Sequence, residues 1–310
     1  MTTLKGKDIL RADQFTLDEI ALIMQTAERF EGLMQTGDRL TNMSGKVLAT
    51  LFYEPSTRTR LSFESAMLRL GGQVLSVAEA RTSSSAAKGE TLFDTGKMIE
   101  SYADVAVIRH PAVGSAQELA EGASIPVING GDGAGEHPTQ ALLDLYTIRR
   151  EKGTVESLTV ALAGDLKNGR TVHSLSALLA NFRVRFYFVA PAALAMPAEI
   201  TAGLRQRGVE IVETTDLAEA AAKSDVLYVT RIQRERFTDP AEYERLKDSY
   251  IVDLALVKAA KPGITLMHPL PRVDEIAKEV DTYDGAAYFR QAANGVLVRM
   301  ALLALVTGQA

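Results

Sequence analysis

The chain has 310 residues, 46% apolar and 24% charged, with a formal charge of −5 and no cysteine. This composition excludes a disordered chain, a collagenous repeat and a coiled-coil rod. The acidic balance argues against a general nucleic-acid binder, and the lack of cysteine excludes disulfides, thiolate metal sites and cysteine nucleophiles.

Length alone sets a prior of two domains. The first fifteen residues carry scattered charges and no apolar core, unlike a secretory signal. The most apolar stretch, 296–306, is interrupted by Arg299 and falls short of the ~18 uncharged residues of a spanning helix. A soluble, cytoplasmic protein with no membrane partner is therefore expected.

Residues 17–34 repeat apolar side chains at helical spacing. A short apolar run at 46–53 predicts a buried strand, and 58–70 returns to the helical period. Further apolar runs at 104–109, 125–129, 158–164, 185–190, 210–213, 226–230 and 265–268 predict strands, with helical patterns between most of them. One glycine cluster, 130–135, precedes a helix over 139–152. The last helical pattern, 291–307, is strongly apolar and must pack on a core. The alternation predicts an α/β protein of two domains, each a mostly parallel sheet flanked by helices. The C-terminal helix is expected to return to the first domain. The junction falls near 137–152.

The run Pro55-Ser56-Thr57-Arg58-Thr59-Arg60 stands where a strand meets a helix. Helix N-termini expose unpaired N–H groups with partial positive charge, and hydroxyls and guanidiniums add phosphate donors. Ser and Thr are also ordinary helix caps, so both readings stand at this point. Residues 164–171 open a second helix after a strand. They match neither a dinucleotide fingerprint nor a P-loop. Arg231 and Gln233 also follow a strand, and arginines at strand ends suit a substrate with more than one carboxylate, or surface ion pairs. The small-residue run 83–90 reads as a loop whose Lys88 is able to swing to a phosphate.

Three of the four histidines precede proline, at 110, 137 and 268, where chance gives well under one such pair. A residue before proline is pushed into extended geometry. His110 and His268 follow apolar runs, at strand ends where ligands of open α/β sheets gather. A turn histidine is the alternative for each, and Arg109 is the functional candidate beside His110. No spacing fits a zinc site.

In this order and spacing, Phe52-Tyr53-Glu54-Pro55-Ser56-Thr57-Arg58-Thr59-Arg60, 84–90, Arg109-His110-Pro111, His137-Pro138-Thr139-Gln140, 164–171, Thr230-Arg231-Ile232-Gln233 and His268-Pro269-Leu270-Pro271-Arg272 resemble the carbamoyltransferase family over essentially the whole chain. The resemblance implies a carbamoyl phosphate-binding domain at 1–137 with 291–310, and an aspartate-binding domain at 138–290, closing on the substrates. It places phosphate on Ser56, Thr57, Arg58, Thr59 and Arg109, with Ser84. It brings the carbamoyl oxygen to Thr59, Arg109 and His137, and its nitrogen to Gln140 and the carbonyls of Pro269 and Leu270, beside Pro271. It places L-aspartate against Arg170, Thr171, Arg231 and Gln233, with Lys88 and Leu270. Arg58, Thr59, Lys88, Arg109 and His137 make up the implied catalytic set.

Ornithine-using relatives carry His-Cys-Leu-Pro where this chain has His268-Pro269-Leu270-Pro271, so aspartate is the implied acceptor. The product would be N-carbamoyl-L-aspartate, in de novo pyrimidine biosynthesis, with no metal or other cofactor. The family assembles as a homotrimer in which Ser84 and Lys88 enter a neighbouring subunit's site. A regulatory chain or a dihydroorotase partner is left open.

Overall fold

In a computed structural model of the chain, residues 2–80, 89–232, 239–246 and 249–310 are described, with the side chains of Pro240 and Glu242 left aside. Two compact units form, Met1–Leu143 with Ala293–Ala310, and Asp144–Ala292.

The first unit runs α1 (Leu17–Gln35), β1 (Val47–Phe52), α2 (Thr57–Arg69), β2 (Gln73–Ala78), α3 (Leu92–Ile99), β3 (Val105–His110), α4 (Ser115–Gly122), β4 (Val127–Asp132) and the start of α5 (Pro138–Lys152). Local chemistry sets these boundaries. Helix α1, for example, starts at a capping box: the Thr16 hydroxyl accepts from the Glu19 amide, and the Glu19 carboxylate accepts from the Thr16 amide. The strands form one parallel sheet, ordered β2-β1-β3-β4. Ala49, Leu51, Ala106, Ile108 and Val127 bury one core against Ala116 and Leu119 of α4.

The second unit continues with β5 (Thr159–Ala163), α6 (Arg170–Leu179), β6 (Arg185–Val189), α7 (Ala198–Gln206), β7 (Glu210–Thr214), α8 (Leu217–Lys223), β8 (Val226–Val229), α9 (Pro240–Leu246), α10 (Leu254–Ala259) and β9 (Thr265–Met267), and ends in the first turn of α11 (Tyr288–Thr307). Its sheet is parallel too, ordered β7-β6-β5-β8-β9. The α/β architecture expected from the alternation is the one observed.

Strand β2 is absent from the sequence expectation. It lies at a sheet edge, with Val74 and Val77 half-buried and its other side chains exposed. A strand with so little burial carries no continuous apolar run. Strands β1, β3, β4, β5 and β8 are nearly wholly buried, and each is visible in the sequence as such a run.

Each sheet reverses its order once. In the first, β1 is flanked by β2 and β3; in the second, β5 is flanked by β6 and β8. Ligands of open α/β sheets bind beyond the carboxyl ends of strands at this reversal. The β1 and β3 ends lead to 53–60 and to Arg109. The β5 and β8 ends lead to 164–171 and to Arg231.

Helix α11 is long and apolar enough, by length and composition, to cross a membrane. Its apolar side chains are instead used inside the fold: Val298, Leu302, Leu303 and Ala304 are fully buried within the first unit. The Arg299 charge is accommodated there by Ser62 Oγ at 2.9 Å, and its guanidinium lies over the Phe63 ring, 4.9 Å from the centroid.

Candidate active site

In the first unit, Arg109 sits level with Phe52, the last residue of β1. Its Nη2 pairs with Glu54 Oε1 at 2.6 Å and its Nη1 lies 3.4 Å from the Gly130 carbonyl. Only 14% of its side chain is exposed, so the guanidinium is held in one direction before any ligand arrives. Glu54 lies in the strand-to-helix connection beside Ser56, and no local sequence pattern announces its partner 55 residues away.

Helix α2 begins beside this pair. Ser56 occupies its cap position but makes no side-chain cap hydrogen bond, and no acidic residue lies in the first turn. By contrast, α1, α3 and α8 each have a capping side chain (Thr16, Thr91, Asp216) and an acid in the first turn. The helix-cap alternative for Ser56 is thus not taken up. The hydroxyls of Ser56 and Thr57, with exposed Arg58, surround an N-terminus whose positive end no side chain offsets. Thr59 is buried one turn in.

The glycine cluster shapes the approach to His137. Asp132 accepts from the amides of Gly114 (2.8 Å) and Glu136 (2.7 Å), bracing the turn between β4 and α5. Gly133 holds a φ of +52°, and a Cβ there would strike the Pro111 carbonyl. His137, 4% exposed, immediately precedes α5, and its carbonyl accepts from the amides of Gln140 and Ala141. Pro138 then occupies the first helical position, where a missing N–H costs nothing.

In the second unit, Gly164 follows β5 at φ +115°, and any Cβ would collide with the Thr230 carbonyl at the end of β8. The two strand ends can therefore lie side by side. Buried Asp165 accepts from the Asn168 amide at 2.9 Å and shapes the loop into α6. That helix starts at Gly169 with no cap and no acid, and its first residues are half-buried Arg170 and Thr171. Half-buried Arg231 follows β8. His173 Nε2 lies 2.7 Å from the Leu166 carbonyl and ties α6 back to its own loop.

The turn after β9 is built around His268. Its Nδ1 accepts from the Leu270 amide at 2.8 Å, so the proton of the neutral ring resides on Nε2, 2.7 Å from Glu275 Oε1. Leu270 takes φ +54°, a left-handed conformation unusual for a leucine, and the Leu270–Pro271 peptide is cis. His110 accepts in the same way from the Ala112 amide, at 3.0 Å, and packs edge-on against Tyr53. Proline removes the intervening N–H and extends the residue before it, so the imidazole takes the next amide. Two His-Pro pairs are thus turn devices and the third starts a helix.

Burial pushes His268 below the ordinary histidine value of 6.5, and His173 likewise. Burial acts upward on Glu275, but the donors at His268 and Val273 hold its carboxyl below the ordinary value. Unfolding frees the two imidazoles to bind protons, so below 6.5 the unfolded state takes up more of them than the folded state. Their stabilising effect is complete above 6.5 and is lost as pH falls from there toward the depressed folded values. The thermal midpoint is expected to drop between about pH 7.5 and about pH 5.5, with a shallower slope in His173→Gln. A flat profile over that range contradicts the burial argument.

Of the residues implied by the resemblance, Ser56, Thr57, Arg58, Thr59, Arg109 and His137 lie in the first unit, as does Gln140, which the expected boundary at 137 had put in the second domain; Arg170, Thr171, Arg231 and 269–271 lie in the second. Ser84, Lys88 and Gln233 lie outside the described residues.

Comparison with known proteins also divides the chain in two, though at other bounds. The family model for the aspartate/ornithine carbamoyltransferase carbamoyl-P binding domain matches residues 7–150, and that for the Asp/Orn binding domain matches 156–306. The aspartate carbamoyltransferase catalytic subunit of Thermococcus kodakarensis is 55% identical over 304 residues, covering 98% of each chain. Aspartate transcarbamoylase from Trypanosoma cruzi, solved with carbamoyl phosphate and aspartate, superposes with a TM-score of 0.92 at 44% identity, over 98% of this chain and 97% of that one. The same enzyme with carbamoyl aspartate and phosphate also superposes at 0.92, with 45% identity. On whole-length sequence and structural similarity alike, the chain belongs to the aspartate/ornithine carbamoyltransferase family.

Proposed function

We infer that the chain transfers the carbamoyl group of carbamoyl phosphate to the amino group of L-aspartate, giving N-carbamoyl-L-aspartate and phosphate. The observation that carries this reading is the same arrangement at both sheet reversals: an arginine beside an uncapped, acid-free helix start, Arg109 with α2 and Arg231 with α6. One suits a phosphate and the other a carboxylate. A cationic ornithine side chain meets repulsion at Arg170 and Arg231, whereas a dicarboxylate is attracted there. Relatives solved with carbamoyl phosphate, aspartate and carbamoyl aspartate support the same reaction.

The amine nitrogen of aspartate forms a bond to the carbonyl carbon, the bond from that carbon to the phosphate oxygen breaks as phosphate leaves with the electron pair, and the proton the amine gives up passes to the departing phosphate. Negative charge grows on the carbonyl oxygen and on the leaving phosphate. Thr59, Arg109 and His137 serve the first; Ser56, Thr57, Arg58 and Arg109 serve the second. Gln140 and the carbonyls of Pro269 and Leu270 orient the carbamoyl nitrogen. Arg170, Thr171 and Arg231 hold the aspartate carboxylates. Donors fixed in advance stabilise such charge without reorganisation, and holding two reactants in line contributes up to about 7–11 kcal/mol.

The reading extends to a cytoplasmic homotrimer working in pyrimidine biosynthesis. Exposed Leu61 and Leu68 on α2 and Leu75 on edge strand β2 support burial against further copies of the chain. Sedimentation equilibrium tests this by the mass of the particle.

The reaction is tested by incubating the purified chain with carbamoyl phosphate and either aspartate or ornithine, then measuring the ureido product and phosphate. Equal amounts of ureido-aspartate and phosphate are expected. Product formed only with ornithine would overturn the choice of acceptor.

A further inference from the structure

The second unit holds a buried polar chain outside the residues assigned above. Asp144 of α5 is fully buried. Its Oδ2 accepts from the Tyr228 hydroxyl at 2.8 Å, and its Oδ1 accepts from Gln291 Nε2 at 2.6 Å. Tyr228, on β8, is also fully buried, and the Thr171 side chain lies beside its phenol. The other end of the Gln291 amide, Oε1, accepts from the His268 amide at 2.9 Å. His268 in turn receives the Leu270 N–H.

The connected path is therefore Thr171, Tyr228, Asp144, Gln291, His268, Leu270. One end lies at the start of α6, the proposed aspartate side. The other is the turn whose carbonyls are assigned to the carbamoyl nitrogen. Asp144 and Gln291 also stand at the first and next-to-last positions of the unit, where the chain enters on α5 and leaves on α11.

Stability does not account for this arrangement. A carboxylate taken out of water loses several kcal/mol of hydration, and well-packed apolar residues often replace such groups with no loss. What a fully satisfied polar network adds is a single allowed arrangement. The donor and acceptor pattern has one solution here: the Gln291 amide must face the carboxylate with its NH2 and the His268 N–H with its oxygen.

We propose that Asp144, Tyr228 and Gln291 form a positioning network that fixes Thr171 and the 268–271 turn relative to each other, and so sets aspartate affinity. This rests on the functional reading above. All three side chains are buried, so they act through Thr171 and the turn and not by direct contact.

The test exchanges donor and acceptor between two positions. Gln291→Glu alone sets carboxylate against carboxylate, whereas adding Asp144→Asn restores complementarity. In the double variant the amide at 144 donates to the carboxylate at 291, whose other oxygen still receives the His268 N–H. For Gln291→Glu, aspartate KM is expected to rise about tenfold or more, while carbamoyl phosphate KM, set mainly by the phosphate contacts proposed for the first unit, stays within about twofold. The double variant is expected to return to within about threefold of wild type. Tyr228→Phe removes one oxygen atom and is expected to raise aspartate KM by about threefold to tenfold; it decides the matter if the Gln291 variant fails to fold.

Unmoved aspartate KM in Tyr228→Phe, a double variant no better than Gln291→Glu, or equal shifts in both KM values would overturn the proposal. Wild-type chain that fails to use aspartate is a separate result, and it removes the functional reading along with the inference.

Discussion

Arg109→Ala is expected to lower kcat/KM for carbamoyl phosphate by about three orders of magnitude, the upper end for loss of one fixed donor to developing charge. The effect is large because the side chain is pre-aimed. The backbone of β3 places it level with the end of β1, and Glu54 fixes its fork at 2.6 Å. The alanine variant also strips the Glu54 carboxylate of its cation, beside a helix start meant for an anion. Arg109→Lys retains charge but not the two-pronged geometry, and is expected to fall between wild type and alanine. Glu54→Gln keeps the guanidinium but loosens its orientation, with an expected loss of about tenfold. Steady-state kinetics with carbamoyl phosphate varied, on variants whose circular dichroism is unchanged, gives the comparison. A loss of less than about tenfold for the alanine variant would remove Arg109 from the reacting centre.

The residues that were readable in the sequence share a property: their signal is local. Ser56 to Arg60, Gly164 to Thr171 and the His-Pro pairs each lie within one strand-to-helix or strand-to-turn connection, where a short run of unusual composition stands out. Strands buried on both faces were equally readable, because such burial forces a continuous apolar run. Edge strand β2 was not, because most of its side chains face away from the core.

The partners were the hidden part. Glu54 with Arg109, and Asp144 with Tyr228 and Gln291, are brought together by the fold across separations that no window spans. Asp144 sits in Leu142-Leu143-Asp144-Leu145-Tyr146, where one acid in a helical pattern reads as a solvent-facing position. The structure buries it completely instead, because two donors converge on it. In the same way, the uncapped state of α2 was undecidable from Ser56 alone. It emerges only when the cap geometry is compared with that of α1, α3 and α8.

The division of labour between the two units makes a second large effect expected. Arg231→Ala should raise aspartate KM by about a hundredfold, since a charge-assisted hydrogen bond to a carboxylate contributes about 1.5–3 kcal/mol and the partner charge is left uncompensated. Arg231 leaves β8 directly after Thr230, whose amide donates to the Ala163 carbonyl at 2.8 Å, so the base of the side chain is anchored to β5. Carbamoyl phosphate KM should change by less than about threefold, because the residues proposed for its phosphate belong to the other unit. Succinate has both carboxylates but no attacking amine, so its inhibition constant isolates binding from chemistry. It should weaken by about the same hundredfold in Arg231→Ala. Arg58→Ala should do the reverse, weakening carbamoyl phosphate and leaving succinate nearly unchanged in enzyme saturated with the first substrate. Equal losses of both ligands in both variants would contradict separate anion-binding strand ends, one in each sheet.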